Sequence, residues 1–138
     1  MIENPSREEI GKILKQAKTI AVVGLSNNPE RTSYMVSEAM QKAGYRIIPV
    51  NPTIDEVLGE RAFSSLADIE EKVDIVNIFR RPEYLPEIAK EFVQIDCDVF
   101  WAQLGIENEE AYKFLKERGK TVIMNRCIKV EHSLSPKN

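Results

Sequence analysis

Few groups in this sequence are equipped for chemistry: a glycine leading a polar loop, two adjacent arginines, and a cysteine shortly before the only histidine. Gly24 opens the run Gly24-Leu25-Ser26-Asn27-Asn28-Pro29-Glu30-Arg31, after which a helix begins. A glycine lets backbone N–H groups approach a ligand closely. The start of a helix adds free N–H donors and the positive end of a dipole, which suits a phosphate. Ser26, Thr32 and Ser33 supply hydroxyls, and Arg31 a charge. The same residues also suit a plain chain turn with Thr32 or Ser33 as helix cap. Arg80-Arg81 can clamp a phosphate through paired hydrogen bonds, or lie solvated beside Glu83 or Glu87. Cys127 and His132 could form a nucleophile and its base, or be a small packed residue and a capping one. Trp101 and Phe100 suit the core, or the wall of a pocket.

These groups need elements to hold them. Ser6-Arg7-Glu8-Glu9 has the form of a capping box, and Ile10, Ile13, Leu14 and Ala17 follow at the spacing of one helical face. Residues 18–24 read as a strand whose Ile20-Ala21-Val22-Val23 is apolar on both sides, as in a strand covered on both faces. A helix with face Val36, Ala39, Met40 and Ala43 comes next, with Gly44 as its C-terminal stop. Residues 45–50 form a second strand ended by Asn51-Pro52. Residues 53–72 are irregular, with a short helix expected near 66–71. A third strand spans 73–79, and Pro82 opens a helix with face Leu85, Ile88, Ala89 and Phe92. A fourth strand covers 98–102, Asn108 caps a helix bearing Ala111, Phe114 and Leu115, Gly119 closes it, and a fifth strand covers 121–124. His132 is expected in the loop trailing that strand, and the tail after Pro136 is expected to fray. Alternating strands and helices predict an α/β fold: a single doubly wound domain over residues 1–138 with a five-stranded parallel sheet.

Ligands of open parallel sheets bind beyond the carboxyl ends of the strands. There the sequence places Gly24-Leu25-Ser26, Asn51-Pro52, Phe79-Arg80-Arg81, Gln103-Leu104-Gly105-Ile106 and Asn125-Arg126-Cys127, sets rich in hydrogen-bonding groups or glycine. An NAD-type site expects G-x-G-x-x-G and an acid ending the second strand; this chain has one glycine in the first loop and Asn51-Pro52 in place of the acid. NAD is therefore disfavoured, whereas NADP is not excluded, because an arginine can replace the acid.

Composition bounds the rest. The chain has 138 residues, 43% apolar and 30% charged, with a formal net charge of −3, so a nucleic-acid partner has no global attraction and an anion must meet a local positive cluster. Two cysteines and one histidine provide neither a disulfide scaffold nor a zinc set. The N-terminus lacks the pattern of a signal peptide, and no run approaches the roughly 20 apolar residues of a membrane span. A cytoplasmic location is expected.

Taken together, Ala21-Val22-Val23-Gly24-Leu25-Ser26, Arg31-Thr32-Ser33-Tyr34, residues 44–52 (GYRIIPVNP), residues 76–82 (VNIFRRP), residues 101–106 (WAQLGI) and residues 125–132 (NRCIKVEH) resemble the small stand-alone CoA-binding domain proteins. These are relatives of the CoA-binding domain of succinyl-CoA synthetase, and the resemblance covers nearly the whole chain. It implies a Rossmann-like fold that takes coenzyme A or an acyl-CoA across the strand ends. By that analogy Gly24, Ser26, Arg31 and Ser33 face the phosphates, and Asn51 and Pro52 border the adenosine. Phe79, Arg80 and Arg81 line the nucleotide site. Gln103, Gly105 and Ile106 approach the pantetheine arm, with Asn125, Arg126 and Cys127 near its end. Many relatives are expected to carry aspartate where this chain has Asn125, which removes a charge beside Arg126. The acyl-CoA synthetases of the superfamily use a phosphorylated histidine on a second domain and an ATP-binding partner domain, and this chain supplies neither. The resemblance thus implies a binding or sensing module without catalysis of its own. The alternatives are the CoA-binding subunit of a ligase with a separate partner chain, and an NADP-binding redox or sensor domain; a protein partner or homodimer is left open.

Overall fold

A computed structural model describes residues 1–135. Helix α1 (Arg7–Gln16) starts at Ser6, whose hydroxyl accepts from the Glu9 N–H. Strands β1 (Thr19–Val23), β2 (Arg46–Val50), β5 (Ile75–Ile78), β6 (Val99–Ala102) and β7 (Thr121–Ile123) form one sheet in the order β2-β1-β5-β6-β7, every pairing parallel. The helices between them are α2 (Thr32–Lys42), α3 (Leu85–Phe92) and α4 (Glu109–Lys116). The predicted doubly wound, Rossmann-like α/β fold is therefore present.

Side chains alternate across the sheet with the period of two that a strand imposes. Ala21, Val23, Val76, Ile78, Phe100 and Ala102 join the layer under α3 and α4, with Leu85, Ile88, Phe92 and Leu115. Ile20, Val22, Ile75, Val99 and Trp101 join the opposite layer, with Ile10, Leu14, Val36 and Met40 from α1 and α2. Trp101 and Phe100 are both fully buried. Each takes the core alternative.

Three local expectations are corrected. Residues 128–134 are not a trailing loop: Ile128–Leu134 is a helix, α5, covering the second layer, and His132 lies on it. Its seven residues include β-branched Ile128 and Val130, and Cys127 at its N-cap makes no side-chain cap bond, so local signals for a helix are weak. The stretch 53–72 contains a small antiparallel hairpin, β3 (Glu56–Val57) with β4 (Glu60–Arg61), and its short helix is a 3₁₀ turn at Leu66–Asp68. Neither Thr32 nor Ser33 caps α2; Arg31 occupies that position without a side-chain cap bond. Ser33 instead accepts the Ser26 N–H at 3.0 Å. Pro82 begins a 3₁₀ turn, Pro82–Tyr84, that runs into α3. The tail after Pro136 lies outside the described residues.

Each edge of the sheet is capped at its carboxyl end by another segment. Phe63 bridges to Val50 at the β2 edge, with its N–H donating to Pro49 O at 2.9 Å. At the other edge the Asn4 side chain donates to Met124 O at 2.9 Å and accepts the Met124 N–H at 2.8 Å.

Candidate functional site

The strand order reverses between β1 and β5, so the chain leaves their carboxyl ends in opposite directions and opens a crevice there. A cleft of about 480 Å³ occupies this position. Val23, Val50, Leu66, Phe79 and Ile88 supply its apolar walls, and Gly24, Asn51, Pro52, Thr53, Ser64, Ser65, Arg80 and Glu91 the remainder.

Gly24 sits at the crossing. Its φ is +84°, and a Cβ placed on it would lie 2.4 Å from the Phe79 carbonyl oxygen. Its N–H donates to Val50 O at 2.8 Å, and the Phe79 N–H donates to Val23 O at 2.9 Å. The backbones at the ends of β1, β2 and β5 thus meet directly, and only glycine fits between them.

Side chains stitch the loops further. Asn51 donates through Nδ2 to Leu25 O at 3.0 Å and accepts from both the N–H and hydroxyl of Thr53. Ser26 Oγ accepts the Asn28 N–H at 3.0 Å. Ser33 is buried, so its hydroxyl holds the loop onto α2. At the start of α2 no side chain caps the helix and no acidic residue stands in its first turn, which leaves the positive end of its dipole uncompensated. Arg31, Arg80 and Arg81 are exposed, and none forms an ion pair among the described residues. Glu83 and Glu87, the alternative partners, do not hold the arginine pair; the Arg80 guanidinium lies 4.6 Å from the Tyr84 ring centroid instead.

The loops after β6 and β7 form the other half of the rim. Gln103 is 4% exposed, and its Oε1 accepts from the Ile128 N–H at 3.1 Å and from Asn77 Nδ2 at 3.2 Å. Asn125 has φ +60°, a conformation asparagine tolerates better than most residues. Its Oδ1 accepts the Gly105 N–H at 2.7 Å, and its own N–H donates to Ile106 O at 3.1 Å. Trp101 Nε1 donates to Arg126 O at 2.9 Å. Asn108 Nδ2 reaches Pro82 O at 3.3 Å, joining this half to the loop after β5. Every site residue expected from the sequence therefore stands at the carboxyl end of the sheet. The cleft itself gathers Gly24, Asn51, Pro52, Phe79 and Arg80. Ser26, Arg31, Ser33, Arg81, Gln103, Gly105, Ile106, Asn125, Arg126 and Cys127 lie outside its lining.

The cysteine and histidine do not meet as a catalytic pair. Cys127 is the N-cap of α5 and His132 lies in its last turn, about 7.5 Å further along the helix axis. The His132 ring packs edge-on against Tyr45, centroids 5.6 Å apart, at the opposite end of the sheet. Cys97 is buried, and that burial pushes its thiol from 9.0 up to about 12. Among the described residues no group of three or more metal-ligating side chains occurs, and no helix is long and apolar enough to cross a membrane.

Sequence reasoning missed Ser64, Ser65 and Glu91 in the cleft wall. Ser65 caps the 3₁₀ turn, which reads locally as ordinary helix punctuation, and Glu91 is one more charged residue in the last turn of α3. Only the packing of that turn against α3 brings them together, with Ser65 Oγ donating to Glu91 Oε1 at 2.6 Å.

A family model described as "CoA binding domain" matches residues 18–133. The uncharacterized protein YneT of Bacillus subtilis is 62% identical over 134 residues, covering 97% of this chain and 99% of that one. A hypothetical protein of Pyrococcus horikoshii superposes with a TM-score of 0.90 at 34% identity, covering 97% of this chain and 98% of the other. An ADP-forming acetate–CoA ligase of Methanocaldococcus jannaschii is 25% identical over 80 residues, 58% of this chain, and the match spans 11% of the ligase.

Proposed function

From the premise that the chain belongs to the CoA-binding domain family, we propose that it binds coenzyme A or an acyl-CoA across the carboxyl ends of its sheet, as a binding or sensing module with no catalysis of its own. The observation that carries this reading is the cleft at the β1/β5 reversal, which Arg80 lines, with the uncapped start of α2 at the same end of the sheet and with Arg31, Arg80 and Arg81 free of carboxylate partners among the described residues. A phosphate fits that combination, since free helix N–H groups and guanidinium groups both donate to it. In the proposed mode Gly24, Ser26, Arg31 and Ser33 surround the diphosphate, and Asn51, Pro52, Phe79, Arg80 and Arg81 surround the adenosine and its 3′-phosphate. The pantetheine arm runs past Gln103, Gly105 and Ile106 toward Asn125, Arg126 and Cys127. A cytoplasmic setting accords with two free thiols, since reducing compartments preserve them.

Thermal unfolding with CoA, dephospho-CoA, NADP and NAD tests the reading. At 100 times its dissociation constant a ligand adds about 2.7 kcal/mol, several degrees for a domain of this size. CoA should raise the midpoint, dephospho-CoA less so, and the two dinucleotides little. A shift with NADP alone would overturn the ligand assignment.

A second reading, the CoA-binding subunit of a ligase working with a separate chain, draws on the local match to the ADP-forming acetate–CoA ligase. Copurification of a partner bearing an ATP-binding domain would favour it, and a chain that binds CoA while purifying alone would count against it.

A further inference from the structure

Glu91 is anomalous for a site that receives phosphates. It is the acidic residue next to the end of α3, Leu85–Phe92, where the helix dipole favours a cation. It is half-buried in the cleft wall, and no cation pairs with it among the described residues. Among the described residues its carboxylate accepts from the Ser65 hydroxyl alone, 2.6 Å from Oε1. A carboxylate offers about four acceptor positions, so most of its capacity awaits a donor. Around it Val50, Leu66, Phe79 and Ile88 give the cleft flat apolar walls, the surroundings of a heterocyclic base rather than of a phosphate.

We infer that Glu91 reads the base of the bound nucleotide, accepting a hydrogen bond from an exocyclic amine and rejecting a purine with a carbonyl at that position. This rests on the CoA-binding reading above. The carboxylate repels phosphate, so the charged end of the ligand must lie toward Arg80 and α2, and the uncharged end enters the cleft. With the pantetheine arm running past Gln103 and Gly105, the adenosine is the part that enters, and it offers two kinds of donor, a ribose hydroxyl and the base amine. The adenosine ribose of CoA carries a phosphate beside its free hydroxyl, and seating that hydroxyl on Glu91 would bring two anions together. The amine has no such conflict. A 6-oxopurine would instead oppose a carbonyl lone pair to the carboxylate where the amine stood. Its N1–H lies one ring atom away from that place, so the base must shift to regain a donor. A site built for one hydrogen-bonding group discriminates against such an analogue.

The test is calorimetric titration, at fixed salt, of the parent chain and of Glu91→Gln with CoA and with deaminated CoA, in which a carbonyl replaces the exocyclic amine. The parent should bind CoA roughly tenfold or more tightly than the deaminated form, the worth of one hydrogen bond to a charged group. In Glu91→Gln the ratio should fall toward one, because the amide can present either its oxygen or its NH₂. A parent that binds both ligands equally overturns the inference and leaves the CoA reading standing, and that comparison needs no variant to fold. An undiminished ratio in Glu91→Gln overturns it as well. A parent that binds neither ligand overturns the CoA reading, and this inference with it.

Discussion

A methyl group added at Gly24 would place a carbon 2.4 Å from the Phe79 carbonyl oxygen, at a φ of +84°. Both effects act against the fold: the left-handed conformation costs a residue with a Cβ about 1–2 kcal/mol, and forcing apart packed backbone costs about 1–3 kcal/mol more. Gly44 has φ +109° with open space around its missing Cβ, so it isolates the conformational cost alone. Gly24→Ala should therefore lower stability by roughly 2–5 kcal/mol in urea unfolding, and Gly44→Ala by only about 1–2 kcal/mol. Equal losses would mean that the loops after β1 and β5 can separate to admit a side chain. At this scale the sequence is informative where function and turn coincide. Gly24 stands out because a lone glycine ends an apolar strand. Glu91 and Ser65 do not, because 26 residues separate them, Ser65 already serves as a cap and a charged residue on a helix is commonplace; only tertiary packing makes them one site.

Helix α5 is anchored by a side chain from another element. Gln103 Oε1 accepts the first N–H of α5, at Ile128, together with Asn77 Nδ2, and Glu131, 4% exposed, is met by Arg7 from α1 at 3.4 Å through two nitrogens. Gln103→Leu keeps most of the volume and removes the acceptor, leaving the Ile128 N–H unpaired at about 1–3 kcal/mol and costing Asn77 Nδ2, which keeps Trp101 O, one bond of about 1 kcal/mol. A loss of roughly 2–4 kcal/mol in denaturant unfolding is expected, with hydrogen exchange accelerated in α5 ahead of the central strands; unchanged exchange in α5 would show that Gln103 does not hold it. The same logic explains which elements were legible. The five strands are largely apolar on both sides, Gly24 and Asn51 stop β1 and β2, Asn125 follows shortly after β7, and α1 and α4 carry side-chain caps at Ser6 and Asn108. Those signals are local. Helix α5 has no cap and depends on Gln103 and on burial of Ile128 and Glu131, so its stability is written in distant residues. The β3/β4 hairpin is likewise held from outside, by Gln41 Nε2 donating to Leu58 O at 2.9 Å.

Over the whole molecule, the alternation of strands and helices reveals a parallel sheet but not the order of its strands, which depends on how the crossovers pack. That order decides where the cleft opens, between β1 and β5, and gathers residues from across the chain at one end. The opposite end has its own polar groups, with Asp74 accepting the Lys18 and Thr19 N–H groups and Lys120 donating to Cys97 O, all spent within the protein. The central claim, CoA bound across the carboxyl ends of the strands, is tested most directly by titrating CoA into ¹⁵N-labelled protein and following every backbone amide. Shifts should concentrate at Gly24–Ser33, Asn51–Thr53, Phe79–Arg81, Gly105 and Asn125–Cys127, while Lys18, Asp74, Asp98 and Lys120 stay in place. Saturating CoA that moves none of the first set, or moves mainly the second, would contradict the account.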